Sequence, residues 1–117
     1  MNDNPNSTTL VQRMIQACKN IIFATSGINS HEDVAKDVFA IENMETCLTI
    51  ILESHVALSA DNKQKLSTFY WDEIENFKKA LSNTDKTTYD YKQLYRSCKE
   101  YIPKLLQKLE SQIDNIN

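Results

Sequence analysis

A single glycine, Gly27, and two prolines, Pro5 and Pro103, punctuate the whole sequence of 117 residues. β-Sandwiches and barrels need turn residues about every 8–12 positions, and α/β folds need glycines at their tight connections. That supply is missing here. Long helices joined by few turns are what remains, and the chain reads as all-α. Its length fits one domain, large enough to bury roughly 60% or more of the surface exposed by the unfolded chain without metal or disulfide staples. With 41% hydrophobic and 25% charged residues, the mix is globular rather than disordered.

Four segments carry the helical period. In the first, Val11, Met14, Ile15, Cys18, Ile21 and Ile22 recur at spacings of three and four after the N-capping types Ser7, Thr8 and Thr9. Gly27 is placed to end this helix in the left-handed region. The second opens at Ser30, with Glu32 and Asp33 suited to the positive end of the helix dipole. Val34, Val38, Ile41, Leu48, Leu52 and His55 then predict one uninterrupted helix to residue 58. After a polar connection at 59–62, the third segment carries Leu66, Phe69, Tyr70, Ile74, Phe77, Ala80 and Leu81. Residues 82–88 read as the third loop. The fourth, from Tyr89 to Ile116, bears Tyr91, Leu94, Tyr95, Cys98, Ile102, Leu105, Leu106, Leu109 and Ile113 on one face. Pro103 removes a backbone donor and crowds the Lys99 carbonyl, so a kink or break is expected there. Short connections predict an up-down-up-down four-helix bundle over residues 8–117, behind a disordered lead at 1–7.

Charge and cysteine content exclude several function classes. The net charge of −3 argues against general affinity for phosphate backbones, so nucleic acid is an unlikely partner. Lys92, Arg96 and Lys99 form a basic stripe, but Asp90 and Glu100 interleave with it and it reads as a solvated face. No apolar run is long enough to cross a membrane, and the N-terminus lacks the basic and apolar regions of a secretory signal. Cys18, Cys47 and Cys98 are odd in number and widely spaced, which suits buried free thiols in a reducing cytoplasmic setting.

Polar residues on apolar faces are the candidates for chemistry. At about 100° per residue, Glu45 falls near Val34 and Leu52, and Glu73 falls between Leu66 and Phe69. A buried carboxylate must find donors, stay protonated or reach the rim. A core hydrogen-bond network with Tyr70, Tyr91 and Tyr95, or an escape to the bundle edge, would satisfy both. His55, near a helix end on the inner side, reads as a C-terminal cation or a satisfied core residue. Glu45, Glu73 and His55 together are the one candidate metal or ligand set. Ferritin-like bundles, however, use Glu-x-x-His pairs, and the positions three before His31 and His55 are Ile28 and Leu52. No metal or cofactor is expected. Nor does any nucleophile have a base at useful spacing, so no enzyme activity is expected.

Large apolar residues off the core stripe point elsewhere. Phe39 and Ile50 lie on the far side of the second helix, with Asn43 between them and Cys47 nearer that side than the core. Phe23 and Trp71 also miss their stripes. The same helix carries Glu32, Asp33, Asp37, Glu42, Glu45 and Glu53 against Lys36 alone, a balance of −5. Several misplaced apolar residues on one surface mark an interaction site. The sequence therefore predicts a non-catalytic protein-interaction module. It would form a homodimer or bind a protein partner through Phe39, Asn43, Cys47, Ile50 and Trp71. By fold-level analogy alone, a small bacterial immunity or antitoxin-like helical protein is an alternative, and a metal- or ligand-binding bundle is another.

Overall fold

A computed structural model describes residues 6–67, 70–81 and 90–117. All regular structure among them is helical, with no strand: α1 (Ser7–Ala24), α2 (His31–Lys36), α3 (Val38–Val56), α4 (Ala60–Lys65), α5 (Tyr70–Ala80), α6 (Tyr91–Arg96) and α7 (Ile102–Gln112). A π-helical turn, Ser97–Tyr101, joins α6 to α7, and a 3₁₀ turn, Ile113–Asn115, follows α7. The expected lead at residues 1–5, Phe69, the Tyr70 side chain and the loop at 82–88 lie outside the described residues. No described helix is long and apolar enough to cross a membrane.

The first helix begins one residue earlier than its capping types suggest. Asn6 is the cap, its side chain accepting from the Thr9 amide at 2.8 Å, so Asn6 and Ser7 belong to the helix start rather than to a disordered lead. The far end differs too, because Gly27 does not take up a positive φ. Thr25 closes the helix in its place. Its amide and hydroxyl both donate to the Ile21 carbonyl, at 3.0 and 2.8 Å, satisfying an end group that a left-handed glycine would otherwise serve.

The uninterrupted second helix is corrected to two. The chain breaks at Asp37 (φ −109°, ψ 89°), whose carboxylate accepts from the Ala40 amide at 2.9 Å and starts α3 anew. Asp37 closes α2 as well, its amide donating to the Val34 carbonyl. The break resets the helical phase, so Val38, expected in the core, is instead exposed. The polar connection at 59–62 is likewise the start of α4, with Ser59 accepting from the Asn62 amide at 3.2 Å. Asn62 is buried and exchanges two hydrogen bonds with Asn117, at 3.1 and 3.2 Å, tying α4 to the end of the chain.

Pro103 widens the last helix without breaking it. Proline has no N–H for the Lys99 carbonyl, and the Ile102 amide reaches back to Ser97 in a π turn. Tyr101 and Ile102 keep right-handed helical angles, and Pro103 sits in the first turn of α7, where its missing donor is harmless.

One continuous core results. Met14, Cys18 and Ile21 of α1 meet Met44, Leu48 and Ile51 of α3, with Ile74 and Phe77 of α5, Leu94 of α6 and Ile102, Leu105 and Leu109 of α7 completing it. Helix α1 packs chiefly on α3 and α7. Every buried side-chain nitrogen or oxygen among the described residues has a hydrogen-bond partner.

Candidate functional site

Helices α1 and α3 run antiparallel. The turn after α1 and the start of α3 share a surface dent lined by Gly27, Ile28, Val38 and Phe39. Further along the pair, the Asn20 side chain comes close to the Cys47 thiol. An open cleft of about 570 Å³ lies between the two helices on the same side. Its apolar lining comes from Leu10 and Ala17 of α1, from Ile50 of α3 and from Ala57 just past α3, while Arg13 and Glu53 flank it.

Phase along α3 explains why this surface holds large apolar residues. Counted from Met44, the buried arc runs through Ile41, Leu48 and Ile51, whereas Phe39, Asn43, Ile50 and Ala57 fall together within about 40° on another side. On α1 the cleft residues Gln16 and Asn20 continue at helical spacing to Phe23. The outcome is a surface between α1 and α3, here called the seam, with an apolar cleft at Ile50 and an exposed phenylalanine on each helix. Phe39 is 83% and Phe23 82% exposed, and Ile50 adds a partly open aliphatic side chain at 38%. Folding leaves all three unburied, although burial of such side chains is its main favourable contribution.

Phe39, Asn43 and Ile50 thus share one face of α3, while the other two expected contact residues do not belong to it. Cys47 is buried toward Asn20, its thiol also 3.7 Å from the Asn43 side-chain oxygen. Trp71 lies on the opposite flank of α3. Its ring stacks on His55 at 3.8 Å between centroids, and its indole N–H donates to the Leu66 carbonyl at 2.8 Å. That bond caps the end of α4 and gives Trp71 an internal task. Phe23, outside the predicted contact set, is an exposed aromatic residue near the end of α1.

The polar candidates settle differently from a core network. Glu45 is half-buried at the rim, in a shallow depression with Glu42, Thr49 and Lys78, and Glu73 is half-buried on α5. Neither carboxylate enters the core, so of the two expected arrangements the escape to the edge is the one observed. His55 is no C-terminal cation. Burial against Trp71, and secondarily the Lys63 charge, pushes its pKa below the ordinary imidazole value, which favours the neutral ring. Among the described residues no three His, Cys, Asp or Glu side chains gather to hold a metal ion.

The remaining reactive groups are occupied or shielded. All three cysteines are free and buried. Burial, reinforced by the Cys47 thiol and Glu110, pushes Cys18 up to about 12, and burial likewise raises Cys47 and Cys98. Arg96 pairs with Glu100 at 3.2 Å and lies over the Tyr101 ring, while the Lys99 ammonium donates to the Thr25 carbonyl at 2.6 Å. The basic stripe is therefore spent largely on contacts within the chain.

No family model, curated protein or solved structure matches this chain. What can be said of its function rests on the seam and the groups around it.

Proposed function

We propose that this protein is a non-catalytic interaction module that binds another protein through the seam between α1 and α3. The observation that carries this reading is the pair of exposed phenylalanines, Phe23 and Phe39, carried by the same two helices that line an apolar cleft at Ile50. Full burial of a phenylalanine is worth about 1.5–3 kcal/mol, so the two rings together could supply roughly 3–6 kcal/mol before ordering costs. Aromatic residues with cleft neighbours are the usual anchors of protein interfaces.

The non-catalytic part of the reading is supported by the chemistry around the seam. The thiols are buried and hard to ionise, and the partly shielded histidine is stacked against a tryptophan rather than aimed at a nucleophile. In this reading α1, α3, α5 and the α6–α7 unit form the four members of an antiparallel bundle, which serves as a rigid frame for the seam. Three free, buried cysteines suit residence in a reducing cytoplasm.

The test compares wild type with Phe23→Glu/Phe39→Glu in a pull-down from the native cell, read by mass spectrometry, with far-UV circular dichroism as a folding control. Loss of a captured protein from a fully helical variant is the expected outcome. Identical capture by both proteins would refute the reading.

A further inference from the structure

We infer that the cleft between α1 and α3 binds a short apolar peptide through both of its charged termini. The inference concerns the cleft alone and does not require the docking role of the phenylalanines, neither of which lines it. Size comes first. At about 570 Å³ the cleft falls within the roughly 300–1,000 Å³ of small-ligand pockets. Leu10, Ala17, Ile50 and Ala57 give it an apolar bed, so the body of a fitting ligand is apolar.

Three polar groups choose the rest. Arg13 of α1 and Glu53 of α3 line opposite walls, and both are exposed. They do not pair with each other, and neither charged group has another partner among the described residues. Ser54 also lines the cleft and is only 6% exposed, yet its hydroxyl bonds to no other described residue. The Thr49 hydroxyl on the same helix, by contrast, donates to the Glu45 carbonyl at 2.9 Å. Every fully enclosed side-chain oxygen has a partner, so the open remnant of Ser54 must include its oxygen, which meets the cleft. The remaining polar side chains of the lining, Gln16 and Asn20, bond each other at 2.9 Å.

One cation facing one anion across an apolar bed complements an apolar zwitterion rather than a ligand of either net charge. A carboxylate meets the guanidinium fork of Arg13 in bidentate geometry, and a primary ammonium donates to Glu53. No aromatic side chain lines the cleft to cage a quaternary ammonium, which sets aside choline-type head groups. Packed helices sit about 8–10 Å axis to axis, and an extended chain reaches about 3.5 Å per residue. A peptide of two or three residues therefore brings one terminus to each wall. Its backbone passes Ser54, whose hydroxyl gives or takes the hydrogen bond that it lacks within the chain.

The experiment titrates leucine, leucyl-leucine and trileucine into the isotope-labelled full chain and follows backbone amide shifts by NMR. Saturable shifts centred on Ala17, Ile50 and Ser54, tighter for the peptides than for leucine, are expected. Arg13→Gln should weaken leucyl-leucine about threefold or more and leave its C-terminal amide unaffected. Glu53→Gln should weaken leucyl-leucine similarly and spare its N-acetyl form. Tighter binding of leucine itself would overturn the peptide as ligand. No saturable shifts from any of the three, or equal losses for free and blocked peptides in both variants, would overturn the site. Equal binding of the doubly blocked peptide would also overturn the inference, and would identify an internal protein segment as the occupant. Phe23→Glu/Phe39→Glu should bind leucyl-leucine as wild type does, so failure here leaves the docking role standing, and failure of the docking role leaves this site standing.

Discussion

Replacing Asp37 with alanine tests the helix break that turns Val38 outward. The Asp37 carboxylate accepts from the Ala40 amide at 2.9 Å, and the residue's extended angles end α2 and begin α3. Losing an N-cap of this kind costs about 1 kcal/mol, within a range of roughly 0.5–2. At about 2.1 cal/mol/K per residue the chain has an unfolding entropy of about 0.25 kcal/mol/K, so Asp37→Ala should lower Tm by about 4 °C. One opposing effect must be separated. Asp37 is among six acids between residues 32 and 53, and removing its charge relieves some repulsion. Asp37→Asn keeps the capping oxygen without the charge and should lie within about 1 °C of wild type. Thermal denaturation followed by circular dichroism at 222 nm gives both values. An unchanged or raised Tm for Asp37→Ala would mean that the two helices prefer to merge, and the exposure of Val38 would lose its cause.

Three further outcomes follow from the same geometry. Phe77 is fully buried and Phe39 largely exposed, so Phe77→Ala should cost about 3–5 kcal/mol in chemical denaturation and Phe39→Ala no more than about 0.5; similar losses would contradict the division between core and seam. Cys18, Cys47 and Cys98 are buried and hard to ionise, so a disulfide reagent at pH 8 should label none of them in the folded protein and all three in denaturant; a prompt reaction of the native protein would contradict their burial. Because the folded pKa of His55 is depressed, the unfolded chain takes up its proton first as pH falls below about 6.5, so stability should decline there and stay level above it. His55→Gln should flatten that slope, and stability rising between pH 7 and 5.5 would refute the assignment.

What the sequence revealed and what it hid divide along physical lines. A buried stripe is a repeated signal, and α1 shows it plainly in Val11, Met14, Cys18 and Ile21, as does α7 in Ile102, Leu105 and Leu109. A helix break is decided by one residue. Asp37 among other acids looks like part of a solvated face, and only its bond to Ala40 distinguishes it as a cap. The hidden break had a second effect, because measuring phase from Val34 across it placed Cys47 outward and Val38 inward. Counting within α3 alone puts Cys47 about 60° from Met44, beside the buried arc. Phe39 and Ile50 were legible as misplaced because they lie far from the apolar stripe in either register.

Trp71 was misread for another reason. Its stacking partner and its carbonyl acceptor come from α3 and the end of α4, and no periodicity within α5 encodes either contact. Glu45 and Glu73 sit at the edge of their apolar arcs, where a long side chain can reach water, and a helical wheel does not distinguish that position from burial. The polar run at 59–62 was ambiguous because capping residues serve loops and helix starts alike.

A photo-crosslinking amino acid placed at position 39 of the full chain in its native cell probes the seam directly, with the same group at exposed Gln107 on α7 as the control. A binding seam predicts a discrete adduct from position 39 that is missing from position 107. No adduct at 39, or the same adducts from both positions, would contradict it.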